Sequence, residues 1–303
     1  MFRVFGLMLG LTVVLVLAGG ALFGQQGAVM FLVLSAVMNF GMYWFSDRMV
    51  LRMYRARIVD RSQAPELYDR VDRLRRRAGL PAPVVAISPQ PQPNAFATGR
   101  DSAHAVVCFT QGILRALPPR ELDGVIAHEL AHIKHRHMLV GTIAATMAGT
   151  IAMIASIARW GLIFGGGRDD GDNPLGVLVM AIVAPLAAVI IQMAISRRNE
   201  FQADRTGGEI TGDPMGLAGA LKRLESGARR IPMDVNPAGA SLAIVNPFAG
   251  RRRGLTSLFT THPPTEERVA ALRAQAYPSA STQRTTRPLS RIGGGKRPSA
   301  DQS

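Results

Sequence analysis

Four runs in this chain, residues 4–23, 28–45, 139 up to Arg159, and 175–196, carry no charged side chain. A helical run of about 20 apolar residues matches the roughly 30 Å hydrocarbon core of a bilayer. Lipid offers the backbone no water to bond, so a single run crosses it as a helix. The runs predict two transmembrane helical hairpins, with the polar remainder folded outside the bilayer. Other readings compete. The first run could be a signal sequence, but it is longer than the usual apolar region and a second run follows after a short loop. The last two could be core helices of a globular protein, but their length and the glycine-rich link between them favour spans. Pro185 and Gln192 suggest that the fourth run packs against other helices rather than facing lipid freely.

Charge sets the expected orientation. Arg48, Arg52, Arg55, Arg57 and Arg61 follow the second run, and Arg197 and Arg198 follow the fourth. The loop at 24–27 is uncharged, and the one at 160–174 has Arg168 among Asp169, Asp170 and Asp172. The positive-inside bias puts both termini and the polar segments in the cytoplasm of a multi-pass cell-membrane protein. Tyr43, Trp44 and Trp160 lie at run ends, where amphipathic rings favour the interface. The net charge of +14 could serve nucleic acid. However, the arginines are spread along juxtamembrane segments and the tail without interleaved aromatics, so anionic lipid is the simpler partner and no nucleic acid is expected. The single Cys108 excludes an intrachain disulfide, fits a reducing compartment and reads as an inert core thiol.

Between the second and third runs lies His128-Glu129-Leu130-Ala131-His132. Residues 118–138 read as a helix. Pro118 and Pro119 open it, Glu121 and Asp123 occupy its first turn, and apolar residues recur at Leu122, Val125, Ile126, Leu130 and Ile133. Two histidines four apart lie about 40° apart around the axis and one turn apart along it, so both can bind one zinc ion. Glu129 then reaches the water such an ion activates and can act as general base. The pentapeptide also arises by chance, so it needs a third ligand. The longer metzincin form wants Gly at 135 and His at 138, where this chain has His135 and Met138. His135 is roughly 10 Å along the axis from His128, too far to share an ion with bonds of about 2.0–2.1 Å. His135 and His137 read as headgroup-facing residues rather than ligands. Glu200 is the best third candidate. If its segment is helical, Glu200 and Asp204 share a face, as a ligand and as a carboxylate that orients a ligand histidine. A surface helix with both acids paired to arginines is the competing reading. The long gap before Glu200 is explained by a membrane hairpin that returns the chain to the same face.

Four segments, in this order, resemble the HtpX-type membrane zinc metalloproteases, relatives of the CAAX prenyl endoproteases. They are Asn94-Ala95-Phe96-Ala97-Thr98-Gly99, the motif at His128 to His132, Ser196 to Asp204, and Thr261-His262-Pro263 with Arg268 downstream. The resemblance covers roughly residues 1–277. It implies His128, His132 and Glu200 as ligands of one Zn2+, Glu129 as catalytic base and Asp204 behind the ligands. It also brings His262 and Arg268 toward the zinc site or a developing oxyanion; His262 could equally be a structural residue ahead of Pro263. Asn94 and Phe96 become substrate-binding candidates, in a strand lip, in the strand pair behind it, or simply in a hairpin turn. His137 departs from the family, which usually has an acidic residue there.

The remaining segments fill in the architecture. Residues 64–79 read as an amphipathic helix, 84–88 and 105–110 as strands, and 89–94 as a proline-broken loop. Asp213 and Pro214 open a helix to about Leu224, 228–260 is loop-rich, and 264–276 is a last helix. The expected fold is mainly α with a small β-sheet, a zincin-like metalloprotease domain integrated with about four transmembrane helices. Residues 1–46 form the first hairpin, 47–277 the protease domain with its own hairpin at about 139–196, and 278–303 a disordered basic tail. The expected activity is a zinc endopeptidase facing the cytoplasm, acting on misfolded or damaged membrane proteins. A prenyl-CAAX processing protease is the second enzymatic reading, disfavoured by four spans rather than a larger chamber. A metal-binding scaffold without catalysis is the third, disfavoured by the intact Glu129.

Overall fold

The computed structural model describes residues 2–143, 197–231, 242–245 and 263–277. Its first element, α1 (Phe2–Met53), is two helices meeting at Gly24, whose backbone (φ 65, ψ −155) is non-helical. The arms fold back on each other. Asn39 Nδ2 donates to Thr12 Oγ1 at 2.9 Å and to the Met8 carbonyl at 3.3 Å. Gly19 lies so close to Gly27 that a Cβ would stand 2.6 Å from its carbonyl oxygen. The expected four-residue loop is therefore one glycine. The second arm also runs past the expected end at Phe45, because nothing breaks the helix before Arg55, which adopts φ 51. Gly24–Met53 is the one helix among the described residues long and apolar enough to cross a membrane; Val4–Leu17 is a shorter apolar helix. Leu9, Val13, Val33, Val37 and Phe40 point outward from the pair. Most of the third and fourth apolar runs lies outside the described residues.

The polar domain holds a four-stranded sheet of order β1-β2-β4-β3, from β1 (Arg57–Ile58), β2 (Val84–Ser88), β3 (Ala95–Thr98) and β4 (Val106–Thr110). The β2–β4 pair is parallel and the other two are antiparallel. Side chains alternate between faces along a strand. Ala95, Ala97, Val107 and Phe109 join the main core, while Phe96, Val106 and Cys108 meet Val50, Leu51 and Tyr54 from the end of α1. Helix α1 thus continues into the wall of the domain.

Helix α2 (Pro65–Ala78) buries Leu67, Val71 and Leu74 and stops at Gly79, a left-handed cap at φ 71. After α3 (Gln111–Ala116), α4 (Pro119–Lys134) carries the histidine motif through the centre of the domain. It is shorter than expected, since Arg136 at φ 57 turns the chain before a new helical stretch at 137–143. That stretch docks Leu139, Val140 and Ile143 on Val4, Leu11 and Met42 of α1. Asp123 pairs with Arg70 and Arg73 of α2, so the acidic first turn of α4 also ties it to a neighbour. Three further helices complete the domain: α5 (Arg197–Thr211), α6 (Pro214–Arg230) and α7 (Thr265–Ala276). Helix α6 runs past the expected end at Leu224, burying Ala228.

Helices α4 and α6 approach closely at Gly124, where a Cβ would stand 2.6 Å from the Leu217 nitrogen. Gly→Ala inside a helix ordinarily stabilises by about 0.4–1 kcal/mol. Here the sign reverses, because two backbones must separate. Gly124→Ala is expected to destabilise the domain by about 1–3 kcal/mol, read as a lowered thermal midpoint in detergent.

Candidate metal centre

Helix α5 crosses α4 where Gly207 leaves room; a Cβ there would stand 3.1 Å from the His128 nitrogen. Glu200, Asp204 and Gly207 recur at i, i+4 and i+7, so the face that meets α4 brings both acids with it. His128 Nε2 lies 3.1 Å from His132 Nε2. Glu200 places Oε2 at 3.8 Å from the first of these and Oε1 at 3.5 Å from the second. One atom from each residue lies within 4.8 Å of the others, and among the described residues this is the one such group able to hold a metal ion. A tetrahedral zinc ion with bonds of about 2.0–2.2 Å keeps its donors roughly 3.3–3.6 Å apart, close to these separations.

The charges also fit. Glu129, Glu200 and Asp204 are buried acids, set against the buried guanidinium of Arg268. Fully ionised, they leave an excess of negative charge that a divalent cation cancels. Arg268 donates from Nε and Nη2 to the two Asp204 oxygens, both at 2.7 Å. Its Nη1 reaches the Ile244 carbonyl at 2.8 Å and lies 3.4 Å from Glu200. Asp204 Oδ1 is also 3.0 Å from His128 Nδ1.

Protonation follows from these neighbours. Burial opposes charge on His128, but Asp204 beside it overrides that and raises its pKa. Burial likewise opposes the Asp204 carboxylate, and Arg268 overrides it, holding Asp204 below the usual carboxylate range. Burial, helped by His128, pushes His132 down to about 3, which keeps its lone pair available. Burial pushes Glu129 up to about 7, offset in part by His128 and by a backbone hydrogen bond from Ala97 of β3. A carboxyl so placed can both take and return a proton near neutral pH.

Of the residues singled out in the sequence, His128, Glu129, His132, Glu200, Asp204 and Arg268 come together. Asn94 and Phe96 do not offer side chains to a substrate. Asn94 Oδ1 accepts from the Ile244 backbone at 3.1 Å, and the Phe96 ring packs tilted against Tyr54, centroids 4.4 Å apart, on the sheet face away from α4. Strand alternation sends Phe96 there because Ala95 and Ala97 face α4. His135 and His137 are not in the metal-holding group, as expected. His135 is bonded to Thr206 and Gln202 of α5, and His137 Nδ1 lies 3.3 Å from His132 Nδ1. His262 lies outside the described residues. Sequence reasoning missed Ile244 and the Ala97 backbone, since main-chain atoms leave no signature in residue type.

The family described as Peptidase family M48 matches residues 61–276. A "Protease HtpX homolog" from Gemmatimonas aurantiaca is 58% identical over 277 residues, covering 90% of this chain and 98% of the relative. One from Pelotomaculum thermopropionicum is 52% identical, over 90% of this chain and 98% of the relative. One from Thermococcus kodakarensis is 52% identical, over 88% and 93%. A solved structure, "Crystal Structure of S. mikatae Ste24p", aligns at a TM-score of 0.47 and 18% identity, over 87% of this chain and 62% of that one. A family match over most of the polar domain, with relatives more than half identical along nearly their whole length, establishes that this chain belongs to peptidase family M48 and is a membrane-associated metalloprotease.

Proposed function

We propose that the chain is a zinc endopeptidase whose one ion is held by His128, His132 and Glu200. Its centre faces the cytoplasm, and it degrades misfolded or damaged membrane proteins. The observation that carries this reading is the convergence of two imidazole nitrogens and a carboxylate at tetrahedral spacing, with Glu129 buried beside them. When bound, the ion supplies Lewis-acid polarisation of the scissile carbonyl and of the attacking water. Glu129 would accept a proton from an attacking water and return it to the leaving amine. Asp204 keeps His128 facing the ion, and Arg268 holds Asp204 ionised and in place.

Substrate is proposed to lie along β3, the sheet edge whose Ala97 reaches Glu129. Added strands are held by main-chain hydrogen bonds, so such an edge selects extended backbone over particular side chains. That suits a protease for loosely folded segments. The cytoplasmic assignment rests on Arg48, Arg52, Arg55, Arg57 and Arg61, which cluster where α1 enters the domain. Four spans remain the proposed topology, with the third and fourth returning the chain from 138 to 197 on one face.

Glu129→Gln removes the base and no ligand. It is expected to retain stoichiometric zinc while hydrolysis of an unfolded substrate in detergent falls about 10²- to 10⁴-fold. Hydrolysis near the wild-type rate would refute the role. Glu200→Ala is expected to lose the metal; unchanged occupancy by elemental analysis would require another carboxylate. For topology, cysteines introduced near Gly166 and Ser281 are expected to label from opposite membrane faces. Cys108 is buried with its thiol pushed up by burial, so background labelling is low. Cytoplasmic labelling at Gly166 would mean that the second hairpin does not span.

A further inference from the structure

The two ligand histidines turn different neighbours toward the rest of the protein. His128 Nδ1 faces the carboxylate of Asp204, whereas His132 Nδ1 faces another imidazole, His137 Nδ1, at 3.3 Å. The rings of His132 and His137 are 5.4 Å apart and steeply inclined, at 68°, so the contact is edge to edge through nitrogen rather than stacking.

The tautomers follow from the ligand assignment, on which this inference rests. A neutral imidazole carries one ring proton. If His132 Nε2 keeps its lone pair for the ion, its proton sits on Nδ1. That N–H then points at His137, whose Nδ1 must accept. We infer that His137 is the positioning residue for His132: its Nδ1 accepts the His132 Nδ1–H, fixing the tautomer and ring angle that present Nε2 to the metal.

The surroundings are built to hold His137 there. Arg136 adopts φ 57, a left-handed turn that non-glycine residues rarely take, and this ends α4 and brings residue 137 back under His132. His135 stacks on His137 at 5.4 Å and 26°. His135 in turn accepts from Gln202 Nε2 at Nδ1, which leaves Nε2 to donate to Thr206 Oγ1. Gln202 and Thr206 belong to α5, the helix that carries Glu200 and Asp204. One helix therefore supplies a ligand, orients His128 directly, and orients His132 through the His135–His137 stack.

Partners behind a ligand histidine typically change metal affinity 10- to 100-fold when removed. The test uses the full chain in detergent, with zinc affinity measured by competition against a chromophoric chelator. The visible spectrum of the cobalt-substituted protein is the second readout. His137→Leu keeps bulk without an acceptor and is expected to weaken zinc binding about 10- to 100-fold and to shift the cobalt bands. His137→Asp and His137→Asn place an oxygen near the position of Nδ1 and are expected to restore both readouts. Leu binding zinc as wild type, or Asp and Asn as weak as Leu, overturns the proposal. His132→Ala separates the two readings: if it too binds zinc normally, the ligand assignment fails along with the inference. If it loses zinc while His137→Leu does not, only the inference fails.

Discussion

The pairing of Asp204 with Arg268 and His128 is the contact around which the domain is arranged. A carboxylate and a guanidinium almost fully removed from water are tolerable only when their hydrogen-bonding groups are well met. Arg268 meets this by using Nε and Nη2 on Asp204 and Nη1 on the Ile244 carbonyl. That single side chain ties α7 to α5 and to segment 242–245, and Asp204 carries the tie on to α4. Removing either partner would strand the other as a buried charge, so the cluster constrains three helices together. The Ile244 backbone completes the path, because its nitrogen donates to Asn94, next to β3.

The membrane segment is part of this arrangement rather than an anchor hung on it. Val50, Leu51 and Tyr54 close one face of the sheet, and α4 closes the other. Strand β3 is therefore fixed from both sides, by Tyr54 against Phe96 and by Glu129 against Ala97. Arg100, just past the strand, lies over the Trp44 ring at 4.9 Å, and Thr98 is bonded to Thr142 in the helical stretch that packs on α1. The proposed substrate edge is thus held to helix α1 within a few residues of Glu129.

How much of this the sequence disclosed depended on the range of the interaction. The helix at His128 and the shared face of Glu200 and Asp204 were legible because helical periodicity is local. The identity of Glu200 as the partner needed the order of the motifs, since acids near arginines are common on surfaces. The break at Gly24 was legible as a gap between apolar runs, but its reduction to one residue was not, because it depends on the tight contact of Gly19 with Gly27. The face taken by Phe96 was not legible, because a strand pattern says which residues alternate, not which face the end of α1 will cover. The contact of His137 with His132 was not legible, because it depends on the left-handed turn at Arg136, and arginine gives no warning of positive φ.

The same charges that make the centre suited to a cation also couple it to the fold. With His128, Glu129, Glu200, Asp204 and Arg268 all buried, the pocket carries more negative than positive charge unless some acid stays protonated. Burial raises the pKa of Glu129, which lowers the charge it contributes to the cluster. A divalent ion held by the proposed ligands would relieve the imbalance too, and its binding would then contribute to stability as well as chemistry. Helices α4 and α5 meet through a glycine contact at Gly207 that holds the donors close but contributes little side-chain burial of its own. The attraction that keeps those two backbones together across the centre is therefore the one the ion would strengthen most.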